Sequence, residues 1–296
     1  MSQRQRHGLN CGCGLVLVLA VLALVSNSVF GQDTLDRVRS TGEIRVGFAG
    51  ERPYAYRDQS GRVTGESAEI ARLILDRIAP EAEIDWVQIE FGQLIPSLRS
   101  GAIDVAAAGM FITPERCELV AFSGPTYVVG EAFAVLNGNP KEIASFESIS
   151  TDESTKVGLI AGTVEYNYAL VTGIPADRAL LYTDFQEAVE GLKEGEVDAV
   201  ALTALTAQNL VAGDPDLGAT EQFFPSLDGE IARGYGGFAF RKEDTALRDA
   251  FQRELEAFVD SPQHWELVAP FGFTSDMAPD KSASALCAGE SDQSGG

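Results

Sequence analysis

The sequence predicts an α/β protein of two lobes, each built on a mostly parallel sheet flanked by helices. Along most of its 296 residues, short apolar runs of strand length alternate with segments of helical spacing, which is the pattern of parallel α/β units. The segment LRSGAIDV from Leu98 resembles LKEGEVDAV from Leu192, with Leu, Gly and Asp recurring 94 positions apart (195 − 101 and 198 − 104). This repeat indicates two lobes of one plan, although helix–glycine–strand junctions also resemble one another by chance.

Residues 1–31 are predicted to be a signal peptide. A positive end precedes an apolar segment, Leu15 to Val25, and Val29 and Gly31 suit cleavage near Gly31. The apolar segment is shorter than the ~20 residues that a membrane span needs. We therefore expect an exported, periplasmic protein. Its formal charge of −22 becomes −24 once the leader, with Arg4 and Arg6 and no acid, is removed, which argues against nucleic acid as a partner.

The first predicted lobe begins with a strand, helix, strand, helix and strand in succession. They are Glu43 to Phe48, Ser67 to Ala79, Ile84 to Glu90, Gly92 to Ser100, and Val105 to Ala108. Such a succession forms a parallel sheet, and ligands of parallel sheets bind beyond the carboxyl ends of the strands.

Three aromatic residues follow the three strands of this unit. Tyr54, Phe91 and Phe111 come after the first, second and third strand respectively. A single aromatic residue in such a place is more often part of the core. Three at one sheet edge favour contact with a ligand.

The third strand is followed by the signals of a helix start. The strand ends at Gly109, Thr113 is the expected N-cap, Pro114 the first helical residue, and Phe111 lies in the intervening turn. The free N–H groups of such a turn favour an anion, and Arg116 is placed to bind a carboxylate with two parallel hydrogen bonds. The plainer alternative is that Arg116 pairs with a glutamate on its own solvated helix face.

A second unit follows the apolar strand Ala132 to Leu136. The run Lys156 to Ala161 predicts another strand, and Thr163 precedes the next helix. Further on, the glycine-rich Gly234 to Phe240 opens a strand, so it does not fit a phosphate-binding loop, which would close one. A helix is predicted over Asp244 to Asp260.

Two cysteines remain after cleavage of the leader, which removes Cys11 and Cys13. In an oxidising compartment, Cys117 and Cys287 favour a disulfide over two free thiols. The bond would join the C-terminal tail to the helix that begins at Pro114.

The octapeptide GMFITPER resembles the GMT-x-TPER signature of the periplasmic amino-acid-type solute-binding proteins of ABC importers. The resemblance covers nearly the whole mature chain. It implies a two-lobed type II periplasmic-binding-protein fold, with residues 32–128 and 236–296 in the first lobe and 129–235 in the second. The chain would cross between lobes near Tyr127 to Gly130 and Tyr235 to Phe238. It also implies a small zwitterionic ligand, delivery to the permease subunits of the importer, no cofactor, and a monomer.

Several segments, including ERPYAYRD, IAGTVEYNYA and VAPFGFT, are more specifically similar to ectoine- and hydroxyectoine-binding proteins. Where binders of α-amino acids have an aspartate for the ammonium, this chain has Thr203. A ring-delocalised cation needs less point-charge pairing and more contact with aromatic faces. The resemblance implies that the carboxylate is held by Arg116 and Thr113, the cation by Glu51 and a cage of Tyr54, Phe91 and Phe111, and the second-lobe side by Thr163 and Thr203.

Two alternatives to ectoine binding remain open at this stage. The first is another zwitterion, such as a polar amino acid, an opine or a betaine. The second is an enzyme on the same fold, such as a periplasmic dehydratase, for which Glu51 and Glu165 are the candidate acid and base. Because the sequence contains no metal-ligand spacing and no nucleophile motif, we predict no metal site, no catalytic residues and no enzymatic activity.

Overall fold

The structure is a computed structural model that describes residues 33–227 and 229–290. The predicted signal peptide with its cleavage position, and the last residues of the predicted tail, lie outside the described residues. No helix within those described ranges is long and apolar enough to cross a bilayer.

The strands carry the labels β1 to β15 in chain order. They are β1 Glu43–Phe48, β2 Tyr56–Arg57, β3 Val63–Thr64, β4 Glu83–Gln88, β5 Val105–Phe111, β6 Ala121–Phe122, β7 Tyr127–Val129, β8 Glu131–Leu136, β9 Val157–Ile160, β10 Ala179–Tyr182, β11 Ala199–Thr203, β12 Leu217–Ala219, β13 Ser226–Leu227, β14 Glu230–Ile231 and β15 Gly234–Phe240.

The α-helices carry the labels α1 to α11, and short 3₁₀ turns occur at Phe91–Gln93, Ala269–Phe271 and Ser275–Met277. The α-helices are α1 Thr34–Thr41, α2 Glu66–Ile78, α3 Leu94–Arg99, α4 Pro114–Leu119, α5 Phe146–Thr151, α6 Val164–Val171, α7 Phe185–Glu194, α8 Ala204–Val211, α9 Thr245–Glu256, α10 Pro262–Val268 and α11 Ala283–Cys287.

Two sheets organise the chain, and we call the elements packed around them the first and second lobes. The first sheet has the order β4-β1-β5-β15-β6, with β7 paired to β15. Strands β4, β1 and β5 are mutually parallel, whereas β15 runs antiparallel to β5. The second sheet has the order β10-β9-β11-β8-β12, in which β10, β9 and β11 are parallel and β8 runs antiparallel to both β11 and β12. Each sheet therefore has three parallel strands on one side and antiparallel pairing on the other.

The chain passes from the first sheet to the second at Gly130, between β7 and β8. This agrees with the position expected for the first crossing. The return passage differs from the expectation, because Gly234 and Tyr235 already pair with β7 of the first sheet. The return thus lies before Gly234 and not within Tyr235 to Phe238.

Strand β5 is longer than the sequence pattern predicts. It was expected to end at Gly109, with Phe111 in the following turn, but it continues through Phe111. The cause is long-range pairing, since Met110 and Phe111 lie opposite Gly237 and Gly236 of β15. Gly109 adopts a positive φ of 63° within the strand, a conformation that glycine tolerates well.

The sequence repeat corresponds to equivalent positions in the two lobes. Gly101 and Gly195 both have a φ of 75°. The carboxylate of Asp104 accepts a hydrogen bond from the backbone N–H of Arg45 in β1, and that of Asp198 accepts one from the N–H of Lys156 just before β9. In each lobe the aspartate thus ties the start of one parallel strand to the start of its neighbour.

The C-terminal segment packs on the first lobe. Leu286 belongs to an apolar cluster with Leu94, Phe122 and Tyr235. The predicted disulfide is present, because Cys117 of α4 and Cys287 of α11 are bonded with their Cα atoms 5.6 Å apart.

Candidate functional site

One small cavity lies between the two lobes, and most of the predicted ligand residues meet there. Its volume of about 20 Å³ is far below the ~300–1,000 Å³ of small-molecule sites, so the lobes are closed on each other with almost no free space between them. It is lined by Glu51, Phe91, Gly109, Phe111, Arg116, Ile160, Thr163, Val164, Glu165, Phe185, Ala201, Leu202 and Thr203. Of the predicted residues, Tyr54 and Thr113 are not part of this lining.

Arg116 is a buried cation that spans the two lobes. Its side chain is only 9% exposed, and its Nη1 donates a hydrogen bond of 2.7 Å to the carbonyl of Phe111. Its Nη2 donates one of 3.0 Å to the carbonyl of Gly162 in the second lobe. The alternative of a solvated pairing with Glu115 or Glu118 is therefore wrong.

Thr113 positions Arg116 from the start of α4. It is the N-cap of that helix, as predicted, and its hydroxyl accepts the backbone N–H of Arg116 at 3.3 Å. Burial lowers the pKa of Arg116, but guanidinium groups stay charged in proteins. The site therefore presents a fixed positive charge with two of its donors already used.

Three phenylalanines supply the aromatic surface of the cavity. Phe91 lies under the guanidinium of Arg116, 5.5 Å from ring centroid to guanidinium carbon. Phe111 lies against the backbone of Gly234, where an added Cβ would be 2.1 Å from the ring. Phe185, at the first position of α7, completes the set from the second lobe and was not predicted. The room that Phe111 needs explains Gly234, and the room that the ring of Tyr127 needs explains Gly236.

The ring of Tyr54 does not face the cavity, contrary to the predicted cage. Tyr54 has no exposed surface, and its ring stacks on Tyr127 at 5.3 Å and packs against Phe273. It also lies behind Gly109, where an added Cβ would be 2.5 Å from the ring. Because its ring packs against Tyr127 and Phe273, Tyr54 is a core residue that lies behind the cavity wall.

Glu51 reaches the cavity from the loop that follows β1. It is 6% exposed, and its Oε1 accepts a hydrogen bond of 2.6 Å from the hydroxyl of Thr206 in the second lobe. Burial raises the pKa of Glu51 from its ordinary value of 4.5 to about 8, partly offset by the Thr206 hydrogen bond. A buried carboxyl of this kind gains much from a cationic partner.

The two second-lobe threonines differ in what they can offer a ligand. Thr163 stands at the N-cap position of α6 without capping it, since its hydroxyl donates to the carbonyl of Ile160 at 2.9 Å. The hydroxyl of Thr203 accepts from Tyr54 at 2.9 Å and from the N–H of Thr206, and donates to the Thr206 hydroxyl at 3.0 Å. Thr203 therefore has its hydrogen-bonding capacity used within the protein.

Sequence reasoning assigned no ligand contact to Glu165, Glu131 or Phe185. Glu165 follows Thr163 in the first turn of α6 and lines the cavity. The sheet-edge rule that selected Phe91 would also have found Phe185, which follows β10. Glu131 carries no local signal, because its place depends on the pairing of β8 with β11.

A wider groove of about 870 Å³ lies elsewhere, between α9 and the C-terminal segment. It is open to solvent and contains neither Arg116 nor the buried carboxyls. Within the part of the chain that the structure describes, no group of three or more His, Cys, Asp or Glu side chains is arranged to hold a metal ion.

Comparison with known proteins places the chain among transport proteins. Residues 44–273 match the model of the bacterial extracellular solute-binding proteins, family 3. A probable amino-acid ABC transporter periplasmic-binding protein of Sinorhizobium fredii is 34% identical over 276 residues, covering 91% of each chain. An L-arginine-binding protein of Pseudomonas aeruginosa is 29% identical over 246 residues, covering 81% of this chain and 90% of that protein.

Among solved structures, the crystal structure of EhuB in complex with hydroxyectoine is similar, with a TM-score of 0.79 and 33% sequence identity. The match covers 86% of this chain and 98% of EhuB. The architecture is accordingly the two-lobed type II periplasmic-binding-protein fold, and the relatives are extracytoplasmic proteins that serve ABC importers. The chain belongs to the bacterial extracellular solute-binding proteins of family 3.

Proposed function

We propose that this solute-binding protein captures ectoine or hydroxyectoine between its lobes and delivers it to the permease of an ABC importer. The observation that carries the proposal is one cavity that contains a buried guanidinium, a buried carboxyl and three aromatic rings. Ectoine is a cyclic amidinium that carries a carboxylate. Its carboxylate suits Arg116, its ring N–H groups suit Glu51, and its delocalised charge suits aromatic faces. The similarity to EhuB supports the same ligand class.

A basic amino acid such as arginine is the second candidate. The Pseudomonas aeruginosa relative binds L-arginine, and the cavity has a second carboxyl, Glu165, beside Glu51. Two acids and one arginine would match a ligand with two cationic groups and one carboxylate. The saturated hydrogen bonds of Thr203 count against this candidate, because Thr203 offers no charge to an α-ammonium group.

Capture is proposed to occur by closure of the lobes around the ligand in a monomeric, exported protein. Tyr54 donates to Thr203, Thr206 donates to Glu51, and Arg116 donates to Gly162, each between the first lobe and the second. A ligand that contacts both lobes favours the closed arrangement over an open one, and the permease would bind the closed form. No covalent step is required, so Glu51 and Glu165 act as hydrogen-bond acceptors and not as an acid and base.

The test is a titration of protein that is expressed with its leader, purified from the periplasm, and unfolded and refolded to remove carried-over ligand. Calorimetry with ectoine, hydroxyectoine, arginine, glutamine and glycine betaine compares the ligand classes directly. We expect tight binding of ectoine or hydroxyectoine and weak binding of the others. Tight binding of arginine with no heat from either ectoine would favour the second candidate and reject the first.

A pH effect should accompany binding. Because burial raises the pKa of Glu51 to about 8, the closed, ligand-free form is fully favoured only below the ordinary pKa of 4.5 and loses stability as pH rises towards 8. A cationic ligand stabilises the ionised form of Glu51, so the ligand-bound protein does not lose this stability as pH rises. We expect the ligand-induced rise in Tm to increase between pH 4.5 and 8, where ~1 kcal/mol corresponds to roughly 2–4 °C.

Differential scanning fluorimetry with and without ligand measures this difference. Glu66, whose pKa is raised by burial to about 7 outside the cavity lining, titrates in both samples and cancels in the comparison. Glu51→Gln should flatten the pH trend. An unchanged trend in that variant would assign the effect to other groups.

A further inference from the structure

Glu165 is a buried acid that faces the cavity. It is 4% exposed, lies in the first turn of α6, and lines the cavity beside Thr163. Thr163 and the backbone N–H of Glu165 itself interact with its carboxyl, and the charge of Arg116 is close enough to act on it. Its Oε2 is fully enclosed and accepts no hydrogen bond from the described residues. An enclosed acceptor of this kind is costly unless a donor is provided.

Glu131 is a second buried acid of the second lobe, and the charge of Glu165 acts on it. Glu131 is the first residue of β8 and lies directly opposite Thr203 of β11 in an antiparallel pair, so their side chains share one face of the sheet. It is 2% exposed, and its Oε2 also has no donor among the described residues. The charge of Glu165 acts on Glu131 and helps to raise its pKa. Two buried acids that interact in this way disfavour a second negative charge, so their titrations are coupled.

The same wall of the cavity has no other carboxyl among its lining residues. Thr203 is committed to Tyr54 and Thr206. The hydroxyl of Thr163 donates to the carbonyl of Ile160, and its oxygen is an uncharged acceptor beside Glu165. Glu165 is therefore the strongest side-chain acceptor that the second-lobe lining offers to a cationic donor.

We propose that Glu165 is the acceptor that the second lobe offers to an N–H or O–H donor at the cationic end of the ligand. This inference rests on the proposed function. The ligand is then held between two carboxyls, Glu51 in the first lobe and Glu165 in the second. The arrangement selects cations that carry at least two donors, such as an amidinium or a hydroxylated amidinium, and disfavours trimethylated ammonium groups, which have none.

Proton exchange provides a readout that a merely structural role would not change. Burial raises the pKa of Glu165. The pKa of Glu131 is raised by burial and, in addition, by the negative charge of Glu165. A ligand cation placed against Glu165 should lower these raised pKa values, so that binding releases a proton. The other ionisable groups whose charges act on this pair or on its neighbours are Arg116, Glu51, Tyr54, Tyr168 and Glu115.

The experiment compares wild type, Glu165→Gln, Glu131→Gln and the control Glu66→Gln by calorimetry in two buffers with different ionisation enthalpies. Glu66 is a matched control because it is equally buried, at 1% exposed, and lies outside the cavity lining. With ectoine and hydroxyectoine, we expect Glu165→Gln to lower affinity by about tenfold or more, and Glu131→Gln by a smaller factor. Both should reduce the number of protons released, whereas Glu66→Gln should leave affinity and proton number unchanged.

Failure of this inference and failure of the proposed function give different results. If wild type binds ectoine and Glu165→Gln binds it within about twofold with the same proton release, Glu165 is only structural. If wild type binds neither ectoine nor hydroxyectoine, the proposed function fails. The same variants are then compared with the amino acid that wild type does bind, and an unchanged affinity would again reject Glu165. Melting temperatures of the ligand-free variants identify any loss that arises from misfolding.

Discussion

Replacing Arg116 by alanine is expected to lower ligand affinity by roughly 100- to 1,000-fold while the ligand-free protein stays folded. Removing one partner of a buried charge pair costs about 3–5 kcal/mol, and each 1.4 kcal/mol is tenfold in affinity. In the ligand-free protein the guanidinium is desolvated, and no carboxylate of the described residues is within ion-pair distance of it. A ligand carboxylate is the partner that would offset its burial.

The stability of the ligand-free variant distinguishes a binding role from a structural one. Because the charge of Arg116 is buried without an ion pair, its removal should leave Tm unchanged or raise it, although two hydrogen bonds to carbonyls are lost. Arg116→Lys keeps the charge but not the planar pair of donors, so its affinity should fall between those of wild type and alanine.

Arg248→Ala is the control for this series. Arg248 lies in the groove beside α9 and pairs with Asp249 at the surface, so its loss should not change affinity. Calorimetry with the ligand that binds wild type most tightly measures all three variants. If Arg116→Ala binds within about tenfold of wild type, the carboxylate is held by another group.

Local signals in the sequence predicted some, but not all, of the first-lobe residues around the cavity. The helix start at Thr113 and Pro114 depends on residues that are neighbours in the chain, and it is found as predicted. Phe91 and Glu51 follow the carboxyl ends of adjacent parallel strands, which parallel pairing brings together whatever the details of packing.

Long-range pairing determined what the sequence did not reveal. The extension of β5 through Phe111 depends on β15, which is distant in the chain. The inward position of Tyr54 depends on Tyr127 and Phe273, and no spacing around Tyr54 indicates those contacts. Glu131 stands at the start of an apolar strand and lies beside Thr203 only because β8 pairs with β11.

A contact between two glycines gives the second large expected effect. Gly92 follows β4 in the first lobe, and Gly162 follows β9 in the second. A Cβ added to Gly92 would lie 2.9 Å from the carbonyl oxygen of Ala161, and one added to Gly162 would lie 2.5 Å from the Cα of Gly92. The two backbones therefore meet directly, next to the carbonyl of Gly162 that accepts from Arg116. A side chain at this contact would hold the lobes apart.

Gly92→Leu is accordingly expected to weaken binding by about 100-fold without loss of stability. A side chain that disfavours the closed form by ~2.8 kcal/mol reduces the closed fraction, and with it the apparent affinity, by about that factor. Gly92 does not have a positive φ, so the backbone accepts a side chain when the lobes are open. Small-angle scattering should show that saturating ligand compacts wild type but not the variant, with Gly92→Ala intermediate.

Gly218→Ala is the matched control for this contact, since a Cβ there would meet only the Cα of Asn137, at 3.9 Å. It should compact and bind as wild type does. Compaction and full affinity in Gly92→Leu would show that the lobes close without the glycine contact, and that the ligand is held mainly by one lobe. If Gly92→Leu instead binds with full affinity but does not compact, binding does not require closure. The ligand would then be held by the first lobe alone, where Arg116 and Glu51 lie. Gly92 offers no side chain to a ligand. If Gly92→Leu loses both compaction and affinity, the second lobe therefore contributes to binding by closing on the ligand.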